Sequence, residues 1–323
     1  MLGSLAIVGL TQCGEGAGAP APLSIASGAP TPASLLLTPP PGTIYLGAYV
    51  NPSQIPAPPP SLVAGVEAQI GRRFALGLHY YGFYQPFPGP NEIDDVANGR
   101  IPVISWNCTQ SNASIASGNA DQAIKARADA IRAFGHPIFL RYMYEMELAS
   151  TPRWRPTCYD PNTDLPNGVF SPQYFIAAWD RIRAIFQQEG ATNVVWLWNP
   201  AGEKNLGAYY PGNNEVDWVG FDRYDTGDLT PFDTYSAAYA LLKTIGKPIM
   251  IGETGAQSVA QSQFFSKLPS TLSTDFKLVK AINYFDSSRK DNYFAGYSWV
   301  LDPSNMSAFA TMANDPYMSG FEP

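Results

Sequence analysis

Histidine and cysteine are scarce in this 323-residue chain: His79 and His136, then Cys13, Cys108 and Cys158. There is no Cys-x-x-Cys pair and no His-Asp-His grouping, so the usual transition-metal ligand patterns are missing. A metal-dependent deacetylase or hydrolase is thereby disfavoured, and chemistry without a metal or organic cofactor is expected. Charge is sparse as well. Only 15% of residues are charged, the net charge is -7, and the first basic residue is Arg72. No basic block exists to neutralise phosphates, which argues against nucleic acid as a partner. No apolar run reaches the roughly 18 residues needed to span a bilayer, and no internal repeat is visible. A glycine-rich phosphate loop is missing after the first strand-like run, where Gly47-Ala-Tyr-Val-Asn51 stands instead. A doubly wound nucleotide-binding sheet would need one there.

What is present is apolar and aromatic: 45% hydrophobic residues and 13% aromatic ones, Tyr and Trp prominent. That composition has ample material for a core and suits an extracellular protein handling neutral, ring-shaped ligands. Residues 1–10 resemble the apolar core of an export signal without its positive leader. Leu10-Thr-Gln-Cys13 loosely resembles a lipobox, with Gln12 where a small residue is usual. The expectation is a secreted protein or a cell-surface lipoprotein tethered through Cys13; an N-terminal extension of no consequence is the alternative. Residues 14–42 are Ala, Gly, Pro and Ser with almost no charge, a composition that cannot offset its own ordering entropy. Residues 1–42 therefore read as export remnant and tether, and 43–323 as one catalytic domain, expected to be monomeric.

From Thr43 onward, strand-like runs alternate with helical ones. Strands are expected at 44–50, 74–80, 101–106, 137–147, 193–198, 216–221, 248–252 and 294–300. Helices are expected near 62–70, 118–134, 171–189, 234–245 and 274–285, the third opened by Ser171-Pro172. Eight strands separated by helices is the pattern of a (β/α)8 barrel.

Two of those strands end in acid. Pro137-Ile-Phe-Leu-Arg-Tyr-Met-Tyr-Glu-Met-Glu147 carries Glu145 and Glu147 at its carboxyl end, and alternation puts Arg141, Met143 and Glu145 on one face. Lys247-Pro-Ile-Met-Ile-Gly-Glu-Thr-Gly255 has the same form, with Ile249, Ile251 and Glu253 on one face. A carboxylate at the end of a buried strand is costly unless paired or used. In a barrel, strands four and seven end on opposite sides of the mouth, so Glu145 and Glu253 form a candidate pair for glycosidic bond cleavage. Two structural readings stand beside this one. Glu145 could pair with Arg141 and leave Glu147 as the working acid, and Glu253 could bridge to a base beneath the sheet.

The order of motifs resembles that of clan A glycoside hydrolases, family 26 most of all. The resemblance rests on Arg141-Tyr-Met-Tyr-Glu-Met146 with Trp154 downstream, Trp196-Leu-Trp-Asn-Pro200, and Tyr210-Pro-Gly212. It continues through Val216-Asp-Trp-Val-Gly-Phe-Asp-Arg-Tyr224 and Gly252-Glu-Thr-Gly255, and covers roughly residues 43–302. It implies Glu145 as acid/base and Glu253 as nucleophile, with retention through a glycosyl-enzyme. It further implies that Tyr224 hydrogen-bonds Glu253 and that Trp299 floors the subsite of the sugar being cleaved. Tyr144 departs from the pattern, standing where the family has histidine. The loop after it, Leu148-Ala-Ser-Thr-Pro-Arg-Trp154, also lacks the usual Trp/Tyr richness.

The remaining candidates each have two readings. At least two of Trp106, Trp198 and Trp299 are expected in a sugar-binding cleft, with core filling as the rival. His79 either binds sugar hydroxyls or is a satisfied core histidine. Asn199 and Asp222 are expected as rim hydrogen-bonders, and Tyr144 and Trp154 as substrate contacts. Cys108 and Cys158 fall on neighbouring loops and are either a disulfide or two unrelated thiols. Asn107-Cys-Thr and Asn112-Ala-Ser are formal glycosylation sequons. The expected function is a retaining endo-β-glycosidase, with β-1,4-mannan favoured slightly over mixed-linkage glucan and β-1,3-xylan. A non-catalytic carbohydrate-binding barrel is the alternative from another class.

Overall fold

The computed structural model describes residues 37–148, 158–165, 170–227, 229–288 and 297–321. The export segment, Cys13 and Trp154 lie outside the described residues. Eight parallel strands close into a barrel in chain order: β1 Tyr45–Val50, β2 Leu76–Gly82, β3 Ile101–Asn107, β4 Ile138–Tyr142, β5 Val194–Trp198, β6 Trp218–Asp222, β7 Ile249–Thr254 and β8 Val279–Asp286. Around them run α1 Ser61–Ile70, α2 Pro90–Ala97, α3 Asn112–Ala116, α4 Asp121–Phe134, α5 Pro172–Gln188, α6 Pro231–Leu242, α7 Ser258–Asp275 and α8 Met306–Ala313. This is the (β/α)8 architecture expected from the alternation.

Local chemistry sets the element ends. α6 starts at a capping box in which Thr230 and Asp233 satisfy each other's backbone amides, with Pro231 at the first helical position. α1 and α4 stop at Gly71 and Gly135, both with φ of 72°, a left-handed conformation that costs glycine nothing. The strands are apolar on both faces because both are buried. Outward residues such as Ile104, Leu140 and Ile251 join the large core shared with the helices. Inward residues Leu78, Val103, Phe139, Leu197, Trp218 and Met250 fill the barrel's own interior. That interior packing occupies the half where the strands begin, and Leu37 seals against it. Above it the interior turns polar.

Four expectations are corrected. The eighth strand is 279–286, not 294–300: α7 already connects β7 to β8, and Tyr297 to Val300 form only an isolated bridge between Ser288 and Ser298. The helix expected at 274–285 is mostly that strand. β4 ends at Tyr142, and the chain then turns with left-handed backbone at Met143 (φ 50°) and Glu145 (φ 55°). Alternation therefore stops before Met143, whose side chain joins the outer core. In β7, Ile249 and Ile251 face outward while Glu253 reaches inward, so the three do not share a face. Register shifts at Phe221/Asp222 and between Ile251 and Thr254 accommodate the change.

Candidate active site

The polar half of the barrel interior is built on Arg141 of β4. Its side chain is fully buried, and burial alone would weaken its hold on the proton; Asp222 and Glu253 more than reverse that. Nη2 donates to Glu253 Oε1 at 2.5 Å, while Nη1 approaches both oxygens of Asp222 at 3.2 and 3.3 Å. Nε donates to Ser105 Oγ at 2.6 Å, and Nη2 also reaches the Tyr80 hydroxyl at 3.2 Å. The Tyr224 hydroxyl donates to the other oxygen of Glu253. Asn199 Nδ2 donates to Asp222 Oδ1 at 2.8 Å. Burial, then the charge on Glu253, drives the Asp222 carboxyl well above the usual range, with Glu145 adding to it and Arg141 opposing. The rise identifies Asp222, Glu253 and Glu145 as neighbours in one electrostatic unit.

Two glycines make room for this unit. A Cβ on Gly252 would lie 2.1 Å from Asn199 Oδ1, 2.6 Å from Asp222 Oδ1 and 2.9 Å from Arg141 Nη1. One on Gly220 would lie 2.4 Å from Asn199 Oδ1. The absence of side chains there is what lets three polar groups converge beside Glu253.

Glu145 is presented differently, by the turn after β4. Its amide donates to the Asn199 carbonyl at 2.9 Å, and it is 4% exposed. Beneath the turn, buried Asn112 accepts from the Tyr142 hydroxyl at 2.7 Å and sets its amide 3.3 Å from Met143 Sδ. Asn112 thus braces the left-handed segment, and at 1% exposure it cannot serve as a glycosylation acceptor. Cys108 and Cys158 are bonded, with Cα atoms 5.6 Å apart, tying the segment after β3 to residues beyond the β4 turn. Glu147, the rival acid, turns elsewhere. Its Oε1 accepts from the amides of Gly202 and Glu203 at 2.8 and 3.1 Å, and burial raises its pKa. It anchors the segment after β5.

The aromatic candidates separate. Tyr144 lies across the Arg141 guanidinium, 4.4 Å from ring centroid to Cζ, and edge-on to Tyr80 at 5.7 Å. Trp299 packs parallel to Tyr224 at 4.1 Å and is 1% exposed. Trp106 and Trp198 instead lie in the outer core: Trp106 against Phe83 at 4.6 Å and bonded to the Phe83 carbonyl, Trp198 against Tyr210 at 4.9 Å. The expectation that two of the three tryptophans line the cleft is therefore corrected to one beside the site. His79 also faces outward, 2.6 Å from Asp95 of α2, whose charge outweighs burial and raises the imidazole pKa. Asn199 and Asp222 are buried under the mouth rather than standing on its rim. Not anticipated were Tyr80, Ser105, Asn112, Tyr49 and Phe285. Tyr49 meets Tyr80 at 4.8 Å and Phe285 at 5.2 Å. The available signal was inward alternation on β1, β2, β3 and β8, which the misplaced last strand concealed for Phe285. Among the described residues, no group of three or more His, Cys, Asp or Glu is placed to hold a metal ion.

No protein-family model matches the chain. It is 26% identical over 269 residues to endoglucanase H of Acetivibrio thermocellus, covering 77% of this chain and 28% of that protein. It is 26% identical over 179 residues to β-1,3-xylanase TXYA of a Vibrio species, covering 52% and 35% respectively. The chain thus spans about a third of the length of these curated relatives. Among solved structures, a GH26 β-mannanase from Bacteroides ovatus superposes with a TM-score of 0.59 at 15% identity, covering 86% of this chain and 90% of that one. The chain is similar in sequence to these two enzymes, and the superposition shows that it shares the fold of the β-mannanase.

Proposed function

We propose that this chain is a retaining endo-β-glycosidase with Glu253 as nucleophile and Glu145 as acid/base, acting on a β-linked polysaccharide. The observation that carries the proposal is the double donation to Glu253. Arg141 and Tyr224 each hold one of its oxygens, an arrangement suited to a carboxylate that attacks as an anion. Glu145 is presented from a different strand end, on a braced turn after β4, where a second carboxyl could serve as proton donor to the leaving oxygen. Asp222 and Asn199 act through Arg141 rather than on sugar in this reading, and Tyr144 covers the guanidinium beside the reacting ring. Trp299 is proposed to back the cleavage subsite through its contact with Tyr224. For the polymer, β-1,4-mannan is the first reading. A β-glucan or β-1,3-xylan is the second, favoured by the names of the two sequence relatives. An exported or cell-surface location belongs to the same proposal, since the Cys108–Cys158 bond would persist in an oxidising compartment.

The test follows new reducing ends on mannan, mixed-linkage glucan, β-1,3-xylan and cellulose. Glu253→Ala should lower turnover on the order of 10⁴-fold while leaving the thermal midpoint near that of the parent chain. Glu145→Ala should spare glycosides with activated leaving groups, and proton NMR should show the β-anomer released first. Equal activity in the Glu253→Ala protein would remove the nucleophile assignment. No release from any polymer by the folded parent protein would favour a barrel that binds glycans without cutting them.

A further inference from the structure

We propose that a groove on the barrel's rim, between the segment after β2 and the start of α4, is a second glycan-binding site that grips the polymer away from the cleavage centre. The ligand class rests on the carbohydrate reading above; the geometry does not. The groove has a volume of about 470 Å³ and is lined by Phe83, Tyr84, Asn119, Gln122, Ala126 and Arg127, with two further alanines. That size lies within the range of small-ligand sites. None of these residues belongs to the unit around Arg141 and Glu253.

Tyr84 is the reason to read the groove as a site. It is 60% exposed, yet its ring meets Phe83 edge-on at 5.5 Å and its hydroxyl accepts from Gln110 Nε2 at 3.2 Å. A solvent-facing ring contacted at both ends has part of its rotamer freedom restricted before a ligand arrives, so less is lost on binding. Opposite it, Ala123 and Ala126 lie one turn apart on α4 and leave a low wall where longer side chains would close the gap. Asn119 and Gln122 supply exposed amides; Asn119 Nδ2 already donates to Ser114 Oγ at 3.1 Å, which leaves it a second N–H and its oxygen for a ligand. The one cation among the described lining residues is already engaged: Arg127 Nη1 donates to the carbonyls of Gln85 and Phe87 at 3.3 Å each, and its guanidinium lies over the Phe87 ring. A flat ring face and neutral amides, with no carboxylate among the described lining residues, suit an uncharged polyhydroxylated ring, and offer little to an anion or a basic peptide. Both walls stand at the end of the barrel where the strands finish. A chain lying across the mouth can therefore extend onto them.

Tyr84→Ala removes the platform, and Ala126→Glu fills the groove with a good helix former at an exposed position. Each is compared with the parent protein by retardation in native gels cast with each of the four polymers, beside turnover of a short soluble oligosaccharide and the thermal midpoint. The expected result is binding to the best-retarding polymer weakened about fivefold or more in both variants, with oligosaccharide turnover and midpoint unchanged. Unchanged retardation in both variants overturns the inference, as does a parent protein that no polymer slows. A matching loss of oligosaccharide turnover also overturns it, because the groove would then belong to the cleavage site. If the parent protein cuts none of the polymers, the glycosidase reading fails, but the retardation comparison still decides this one.

Discussion

Gly252→Ala tests whether the polar unit is as tightly assembled as its distances imply. Gly252 is not in the left-handed region, so backbone conformation does not forbid alanine, and contact alone decides the outcome. The added Cβ would lie 2.1 Å from Asn199 Oδ1 and within 3 Å of Asp222 and Arg141. These are side-chain tips, which elsewhere could swing away. Here all three residues are at most 2% exposed and bonded to one another, so withdrawal of one disturbs the others. Overpacking of this kind costs about 1–3 kcal/mol. At about 2–4 °C per kcal/mol for a domain approaching this size, the thermal midpoint should fall by about 2–12 °C. Turnover should fall further than stability suggests, since misplacing the group that holds Glu253 by about 1 Å can cost on the order of 10²-fold. Calorimetry and reducing-end release on the same preparations measure both. The clash is with Asn199 first, so Gly252→Ala should cost less in an Asn199→Ala background, with a coupling of at least about 0.5 kcal/mol. A Gly252→Ala protein with the parent midpoint and turnover would refute the close packing. Strict additivity in the double variant would refute the role given to Asn199.

Two further outcomes are expected. Asn112→Ala removes the acceptor of the Tyr142 hydroxyl and the amide against Met143, costing about 1–3 kcal/mol; kcat should drop more on unactivated than on activated glycosides, because Glu145 is the group left unbraced. Asp286, buried at the end of β8, has its pKa raised by burial from 3.8 to about 6. A carboxyl raised in the folded state binds its proton more tightly there than when unfolded, so its contribution favours folding at low pH and is lost as pH rises from about 4 through 6. Asp286→Asn can still accept from the Leu301 amide. It should raise the midpoint at pH 7.5 by an amount worth about 3 kcal/mol and change little at pH 3; equal shifts at both pH values would exclude the ionisation as the cause.

How much could be read beforehand depended on whether one period dominated. Seven strands were legible because a parallel barrel buries both faces and leaves short apolar runs between helices. The eighth was not. In Val279-Lys-Ala-Ile-Asn-Tyr-Phe-Asp286, with Leu278 before it, Leu278, Ile282 and Phe285 fall at helical spacing while Asn283 breaks the apolar run. Asn283 faces the barrel interior over Gly47, whose added Cβ would meet it at 2.2 Å, and its amide points at Met250 Sδ at 3.5 Å. The polar half of the interior made the site only partly readable. Glu253, Asp222 and Asn199 stood out as polar residues ending apolar strands. The side each one faces depended on a register shift and two left-handed residues that no periodicity encodes. Trp106 and Trp198 show the converse error: aromatic content suggests a sugar cleft, but a tryptophan on an outward strand position is simply packed beneath helices.

The packed lower interior of the barrel has a topological consequence for any long polymer. Phe139, Trp218, Leu197 and Met250 close the space between the strand starts, so the molecule is a bowl rather than a pipe. A chain cannot be threaded through it or fed in end-first and expelled below. Any polymer it meets has to lie over the open end, and both arrive and leave from that side.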